Sequence, residues 1–283
     1  MRWTPGGRST NLEDQRGGGR RGPSLGGMGI GGIVLVVIVA LVTKQNPLAL
    51  LGALEANGTT ATAPGTAVSD PAEEQTVQFV SFVLDDAQQM WATKLGAASG
   101  GNWRDARLVL FRDQVESACG LAQAASGPFY CPGDEKVYID LGFYQELSSR
   151  FGAPGDFAEA YVLAHEIGHH VQKVLGIESQ VREAQQRDPS RANALSVAME
   201  LQADCFAGVW GHQAAQEGRL EAGDVDEGLG AAAAVGDDRL QKMSRGTVQP
   251  ESWTHGSSAQ RTSWFRRGFD GGEMSACNTL STR

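Results

Sequence analysis

Residues 156–175 read DFAEAYVLAHEIGHHVQKVL, a run of helix-forming residues between two glycines. Its acidic first turn and apolar stripe predict one amphipathic helix. Within it, His165 and His169 lie four residues apart, so their imidazoles share one face of the helix. Together with the intervening Glu166 they form the pattern H-E-x-x-H, which binds zinc through the histidines and uses the glutamate as a general base.

A second apolar run at helical spacing, residues 192–212, contains two carboxylates. Glu200 and Asp204 lie one turn apart on it, and a buried carboxylate is costly unless a cation or strong donors accompany it. A catalytic zinc takes three protein ligands and keeps one position open. We therefore predict that Glu200 joins His165 and His169 as the third ligand. Asp204 is expected to orient a ligating imidazole from behind.

These residues predict hydrolysis by an activated water. Zinc lowers the pKa of a bound water and polarises a carbonyl, while Glu166 would take the water's proton and pass one to the leaving group. The H-E-x-x-H pattern indicates an activated water but does not identify the substrate. Two alternatives to a peptidase therefore stay open. One is a zinc-dependent hydrolase of a non-protein substrate, and the other is a catalytically silent binding module that retains the site.

Several strings along the chain occur together in the order typical of one family: GPFYCPGDEKVYID, HEIGHHVQ, ELQADCFAGVW, AAAAVGDDRLQ and THGSSAQRTSWFRRGF. They resemble the bacterial putative neutral zinc metallopeptidases, over the arginine-rich N-terminus and nearly all of the chain from about residue 76. The resemblance implies a gluzincin-like site, with Glu166 as base and Glu200 as the distal ligand. It also implies a zinc cofactor and a peptide or protein substrate.

The turn Thr254–Arg261 resembles the histidine-containing turn before the last helix of related membrane-associated gluzincins. In those proteins a histidine and an arginine face the zinc pocket, where a donor can stabilise an oxyanion. The resemblance therefore implies catalytic roles for His255 and Arg261. The alternative is that Ser257 or Ser258 only caps a helix, with His255 exposed.

A short strand, Val137–Asp140, precedes the motif helix. In the zinc peptidases that the chain resembles, an edge strand over the metal pairs with extended substrate. Such pairing gives main-chain recognition with weak sequence preference. The resemblance thus implies that Val137, Tyr138 and Ile139 bind substrate, the alternative being an ordinary short edge strand.

The periodicities predict an α+β fold, mainly helical, with a small antiparallel sheet. The family resemblance implies that this domain is zincin-like. Helices are expected at about 77–95, 143–150, 157–175, 192–212, 223–243 and 258–269. Strands are expected at about 108–111, 129–131 and 137–140.

Residues 25–42 carry no charge, and five arginines precede them whereas only Lys44 follows closely. A helix of this length nearly spans a hydrocarbon core of about 30 Å, and positive residues stay on the cytoplasmic side. A cleaved signal peptide and a core helix are the alternatives. The expected order is a cytoplasmic polar tail at 1–24, a transmembrane helix at 25–43, a flexible linker at 44–75 and a zinc metallopeptidase domain at 76–283.

The distribution of charge along the chain agrees with an exported domain. The chain carries a net charge of −9, and its acidic residues lie mostly after the arginine-rich start. Such a domain is a poor nucleic-acid binder, because phosphate affinity comes from clustered Lys and Arg. We therefore expect a single-pass bacterial membrane protein with a cytoplasmic N-terminus and an extracytoplasmic catalytic domain, and no nucleic-acid partner.

Four cysteines fit an oxidising compartment. They allow three pairings, of which the compact one joins Cys119 to Cys131 and Cys205 to Cys277. The second of these disulfides would tie the tail of the chain to the Glu200 helix. A thiolate zinc site is the competing interpretation, and the absence of a C-x-x-C spacing disfavours it.

Overall fold

The computed structural model describes residues 1–17, 71–96, 103–124 and 127–280. Of these, residues 1–15 and the described residues from 71 onward belong to one compact unit. Helices α1 to α8 span Pro71–Leu95, Gly142–Ser149, Asp156–Val174, Ile177–Arg187, Ala192–Gln216, Asp224–Ala234, Asp237–Arg245 and Ser258–Gly271. Strands β1 to β6 span Leu12–Asp14, Arg107–Phe111, Gln114–Ser117, Gly120–Gln123, Phe129–Cys131 and Lys136–Asp140.

The helix that carries the H-E-x-x-H pattern, α3, forms within one residue of its predicted bounds, and most of its side chains are buried. It packs against α5, the helix of Glu200. Gly168 allows this approach, because a Cβ at this position would lie 3.0 Å from the carbonyl oxygen of Ala203. The close packing of the two helices brings the histidines and the distal carboxylates together.

The single helix predicted at 223–243 is two helices, α6 and α7, separated at Gly236. Gly236 has an extended backbone, with φ −70° and ψ 142°. A Cβ at this position would overlap the backbone nitrogen of Ser258, at the start of α8. The chain therefore bends where α8 packs against it, and the bend lets α7 contribute Leu240 and Met243 to the cleft described below.

The main sheet is mixed, with strand order β1-β2-β6-β5, so the predicted antiparallel sheet is wrong. Strands β1, β2 and β6 run parallel, and β5 is antiparallel to its neighbour β6. A separate pair, β3 and β4, is antiparallel. Parallel neighbours need long connections, and the connection between β2 and β6 is long enough to allow a parallel pair.

The strand predicted to bind substrate lies inside this sheet. In the register of β6, Tyr138 pairs with Val109 of β2 on one side and with Phe129 of β5 on the other. Val137, Tyr138 and Ile139 are at most 3% exposed. Val137 and Tyr138 are paired on both edges, and Ile139 is paired with Leu110 of β2 and fully buried, so the strand is not the open edge that the prediction requires. The strand that ends the sheet beside the motif helix is β5.

Residues 1–15 fold with the domain, so the prediction of a separate polar tail at 1–24 is wrong for these residues. Strand β1 pairs with β2 through Leu12 and Leu108. Trp3 packs edge-on against Phe79 of α1, with ring centroids 5.4 Å apart. A polar, glycine-rich segment has little reason to fold alone. Here the sheet and α1 supply the surface on which it folds.

The prediction of a transmembrane helix is not supported. Across the described ranges, no helix is both long and apolar enough to cross a membrane, and residues 25–43 themselves lie outside those ranges. A flexible linker is predicted at 44–75. Residues 44–70 lie outside the described part of the chain, and residues 71–75 form the start of α1 instead.

The C-terminal part of the domain packs tightly behind the motif helix. A Cβ at Gly268 of α8 would overlap the carbonyl of Cys205, and one at Gly208 of α5 would overlap the carbonyl of Phe265. Only glycine fits at these two crossings, which bring α8 against α5. The compact cysteine pairing is the one in the structure, with Cys119 bonded to Cys131 and Cys205 bonded to Cys277.

Glu159, near the start of α3, is expected to make the fold less stable as pH rises. Burial, with a smaller contribution from Asp156, raises the pKa of Glu159 from 4.5 to about 7. Between these values the unfolded chain loses the proton before the folded one does. Folding therefore weakens with rising pH until about pH 7, by up to roughly 3 kcal/mol.

Glu159→Gln removes this ionisation and should raise the free energy of unfolding at about pH 8 by up to the same amount. At about pH 4 both states are protonated in the parent, so the substitution should have little effect there. Urea unfolding of the zinc-free protein at the two pH values measures the difference. An equal effect at both would contradict the proposed burial of this carboxyl.

Candidate metal centre

The three predicted ligands meet at one point. His165 and His169 project from α3 and Glu200 from α5, and one ligand atom of each lies within 4.8 Å of the others. Nε2 of His165 is 3.3 Å from Oε2 of Glu200, and Nε2 of His169 is 3.5 Å from Oε1. A tetrahedral ion with bonds of about 2.0–2.1 Å keeps its ligand atoms about 3.3–3.4 Å apart, so this spacing fits zinc.

The orientation of both imidazoles also fits a metal. Nδ1 of His165 lies 2.8 Å from a carboxylate oxygen of Asp204, and Nδ1 of His169 lies 2.9 Å from Oε1 of Gln172. Both partners are oxygen acceptors, so each Nδ1 carries the hydrogen and each Nε2 is left to bind the ion. Two imidazoles and one carboxylate are a donor set of catalytic zinc, which leaves a fourth position open.

Local charges keep Glu200, the candidate distal ligand, in its ionised form. Burial by itself raises the pKa of Glu200, but the neighbouring His169 and His165 hold it well below its usual range. Burial lowers the pKa of His165, whereas Asp204 raises it, with a net increase to about 10 in the metal-free protein. Metal uptake therefore competes with a proton on His165.

Asp204 is fully buried behind His165 and accepts hydrogen bonds from several donors. Besides the imidazole, the hydroxyl of Tyr161 donates to it at 2.5 Å. Nε and Nη2 of Arg261 each donate to one of its oxygens at 2.8 Å. Burial raises the pKa of the Asp204 carboxyl, but Arg261 and His165 together hold it below its usual value. The structure thus puts an ionised carboxylate where the sequence predicts the orienting residue.

Asp204→Asn should weaken zinc binding about 10- to 100-fold without abolishing it, as substitutions of residues that orient a ligand do. The amide keeps the shape but removes the charge that balances Arg261 and fixes the Nδ1 hydrogen of His165. Competition with a chromogenic chelator measures the affinity. Asp140→Asn, at a buried carboxylate that ends β6, is the matched control. An Asp204→Asn protein with the affinity of this control would show that Asp204 does not orient His165.

Arg261 makes its shortest hydrogen bonds to Asp204, and its Nη2 also lies 3.5 Å from Nε2 of His165. Its side chain is 4% exposed. Apart from the two bonds to Asp204, Nη2 donates to the Tyr161 hydroxyl at 3.2 Å and Nη1 donates to the carbonyl of Val235 at 3.3 Å. This geometry favours a positioning role for Arg261, exerted through Asp204, over the catalytic role that the resemblance implies.

His255 lies on the lining of the same cleft, with its side chain half exposed. Its Nδ1 is 3.2 Å from Oδ1 of Asp237. The other oxygen of Asp237 accepts from the backbone N–H groups of Thr254, His255 and Gly256, at 2.8, 2.6 and 3.0 Å. Asp237 therefore holds both the turn and its imidazole. The sequence does not reveal this role, because the two residues are 18 positions apart.

The metal centre opens into a cleft with a volume of about 650 Å³. Glu166, which is 7% exposed, lines the cleft together with the three ligands. Strand β5 contributes Phe129 and Tyr130 to one wall. The cleft also has large apolar side chains along its walls: Phe143, Phe151, Val162, Leu240 and Met243. A cleft of this kind suits an extended chain with apolar side chains.

Two residues that organise the site escaped the sequence analysis although helical spacing could have identified them. Tyr161 lies four residues before His165, and Gln172 lies three residues after His169, so each shares a face of α3 with a ligand. A second group of carboxylates, Asp156, Asp224 and Glu227, is also close enough to hold a cation. It contains no imidazole, and none of its members is among the described residues that line the cleft.

Comparison with known proteins identifies the family. The family model described as putative neutral zinc metallopeptidase matches residues 1–280. YpfJ of Escherichia coli strain K12, described as an uncharacterized protein, is 46% identical over 287 residues, which cover 99% of each chain. The uncharacterized proteins Mb2605 of Mycobacterium bovis and Rv2575 of Mycobacterium tuberculosis (strain H37Rv) are each 46% identical over 183 residues, or 61% of either chain. No solved structure matches the chain. The chain therefore belongs to the putative neutral zinc metallopeptidase family, and its cofactor is accordingly expected to be zinc.

Proposed function

We propose that the protein is a gluzincin-type zinc endopeptidase that hydrolyses peptide bonds in extended chains. The observation that carries this proposal is the convergence of the ligand atoms of His165, His169 and Glu200 at the base of a cleft that Glu166 also lines. When bound there, zinc would supply a water of lowered pKa and polarise the scissile carbonyl.

Glu166 acts as the general base and then as the acid. Its carboxyl belongs to the motif helix and lines the cleft without joining the three ligands. It removes a proton from the attacking water and delivers one to the leaving nitrogen, so a single carboxyl serves both halves of the reaction. His255, which Asp237 orients, donates a ring N–H to the oxyanion that forms on the carbonyl.

Substrate pairs with the outer edge of β5. Strand β5 ends the sheet, and its residues Phe129 and Tyr130 line the cleft beside the ligands. An extended peptide added at this edge is held through its main chain, largely independently of sequence. Preference then comes from the apolar walls, where Phe143, Phe151 and Met243 favour large apolar side chains near the scissile bond.

Cleavage of an unfolded protein tests this function. The zinc-loaded protein is incubated with a reduced and alkylated protein, and new termini are identified by mass spectrometry. We expect cuts beside large apolar residues, all of which disappear on chelation and in a Glu166→Gln variant. Hydrolysis of small esters without any peptide cleavage would favour a non-protein substrate. A protein with its full zinc content that hydrolyses neither peptides nor small esters would favour a silent binding module.

The zinc domain is also proposed to work outside the bacterial cytoplasm. The support comes from its two disulfides, of which Cys131, Cys205 and Cys277 are at most 1% exposed. Structural disulfides of this kind form and persist in oxidising compartments. Thiol trapping in intact cells should therefore find no free cysteine in the mature protein. Four reactive thiols in the folded protein would contradict this location.

A further inference from the structure

Two buried glutamine side chains connect the metal site to the C-terminal segment. Gln172 of α3 is 0% exposed and Gln202 of α5 is 5% exposed. Oε1 of Gln172 lies 2.9 Å from Nδ1 of His169, and Nε2 of Gln172 lies 3.1 Å from Oε1 of Gln202. Nε2 of Gln202 then lies 2.9 Å from the carbonyl oxygen of Cys277. The four groups form a continuous row of hydrogen bonds.

Backbone carbonyls fix the direction of this row. The carbonyl of Cys277 can only accept, so Gln202 must direct Nε2 toward it and Oε1 toward Gln172. Gln172 also donates from Nε2 to the carbonyl of Met199 at 2.8 Å, which requires the same amide orientation independently. Oε1 of Gln172 is therefore the atom that faces His169, and the imidazole must donate from Nδ1.

The direction of the row selects the tautomer that a metal needs. A neutral imidazole with its hydrogen on Nδ1 has its lone pair on Nε2, the atom that lies 3.5 Å from Glu200. The opposite tautomer would place a hydrogen on Nε2 and block coordination. For His165 the same selection is made by the carboxylate of Asp204. For His169 an amide makes it, which adds no further negative charge to the site.

The end of the row is held in place by the C-terminal segment. Cys277 is bonded to Cys205, the residue that follows Asp204 in α5. Two residues beyond Cys277, the hydroxyl of Thr279 donates to the carbonyl of Ala198, also in α5, at 2.6 Å. The carbonyl that orients Gln202 is therefore attached to the same helix that supplies Glu200.

We propose, resting on the metal centre proposed above, that Gln172 and Gln202 are positioning residues that hold His169 in its metal-binding tautomer. The C-terminal segment, which the disulfide of Cys277 fixes to α5, supplies the carbonyl that orients Gln202. Gln172 acts directly on the imidazole of His169, and Gln202 acts on that imidazole through Gln172.

Two substitutions break the row at successive points. Gln172→Met keeps the side-chain volume and removes the acceptor for Nδ1, so zinc affinity should fall about 10- to 100-fold. Gln202→Met leaves Gln172 with its bond to Met199 and should cause a smaller loss. Gln172→Glu retains an acceptor for Nδ1, and it should therefore bind zinc more tightly than Gln172→Met does.

Zinc affinity is the first readout. The second readout, the tautomer of His169, needs neither bound zinc nor turnover. Nitrogen-15 NMR of the imidazoles in the zinc-free protein, at alkaline pH, should show His169 with its hydrogen on Nδ1 in the parent and in Gln172→Glu. Gln172→Met should show a mixture of the two tautomers. Should Gln172→Met fail to fold, Gln202→Met carries the same two measurements.

Gln88 provides the matched control. It is a 2% exposed glutamine on α1, and its amide atoms have no hydrogen-bond partner within the described part of the chain. Gln88→Met should change neither zinc affinity nor the His169 tautomer. If Gln172→Met and Gln202→Met behave like this control in both readouts, the inference is overturned. Loss of peptidase activity alone, with both readouts unchanged, would also overturn it and leave the proposed function intact.

Discussion

Glu166→Gln should retain its zinc and lose at least about 10²-fold in the rate of peptide hydrolysis, the scale of a positioned acid–base group. The amide occupies the same place in the cleft but can neither accept the proton of the attacking water nor return one to the leaving nitrogen. Zinc content and the cleavage rate of an unfolded protein, measured on the same preparation, separate the two effects.

Glu146→Gln is the control for this substitution, because Glu146 lines the same cleft and is not among the ligands. It should hydrolyse peptides at nearly the parental rate. If Glu166→Gln turned over as fast as Glu146→Gln, another group would be the base, or the reaction would not be the one proposed.

Glu200→Ala should lose stoichiometric zinc, with a larger fall in affinity than the 10- to 100-fold expected for Asp204→Asn. Only two protein ligands would remain, fewer than the three that hold catalytic zinc. The substitution also removes the carboxylate that lies beside both imidazoles in the metal-free protein. Elemental analysis after dialysis against a weak chelator measures the zinc per chain.

Glu178→Ala tests whether any acidic residue near the cleft would have the same effect. Glu178 also lines the cleft, but its carboxylate pairs with Arg182 and Lys173. It should keep one zinc per chain. A folded Glu200→Ala protein with the zinc content of this control would contradict the assignment of the third ligand.

The three candidate ligands could be identified from the sequence because short-range spacing marks them. His165 and His169 share a helix face whatever surrounds them, and Glu200 and Asp204 stand out as carboxylates in an apolar helix. Their convergence depends on α3 packing against α5, which Gly168 permits. Helical periodicity therefore locates the site, and tertiary packing completes it.

The parts that sequence reasoning missed depend on long-range pairing. The order of the sheet places β5, not β6, at the edge beside the cleft, and no local pattern reports which of two short strands is outermost. Asp237 acts on His255 across 18 positions, and Gln202 reaches Cys277 across 75. The polar composition of residues 1–17 predicts that they do not fold alone. It does not reveal that residues 12–14 form strand β1 by pairing with β2.

The most direct test of the metal centre is anomalous diffraction at the zinc edge from crystals of the zinc-loaded protein. The structure predicts one strong peak bounded by Nε2 of His165, Nε2 of His169 and the carboxylate of Glu200, with Glu166 outside the ligand set. A peak only at the carboxylate cluster of α3 and α6, or no peak between the two histidines in protein that cleaves peptides, would contradict the proposed mechanism.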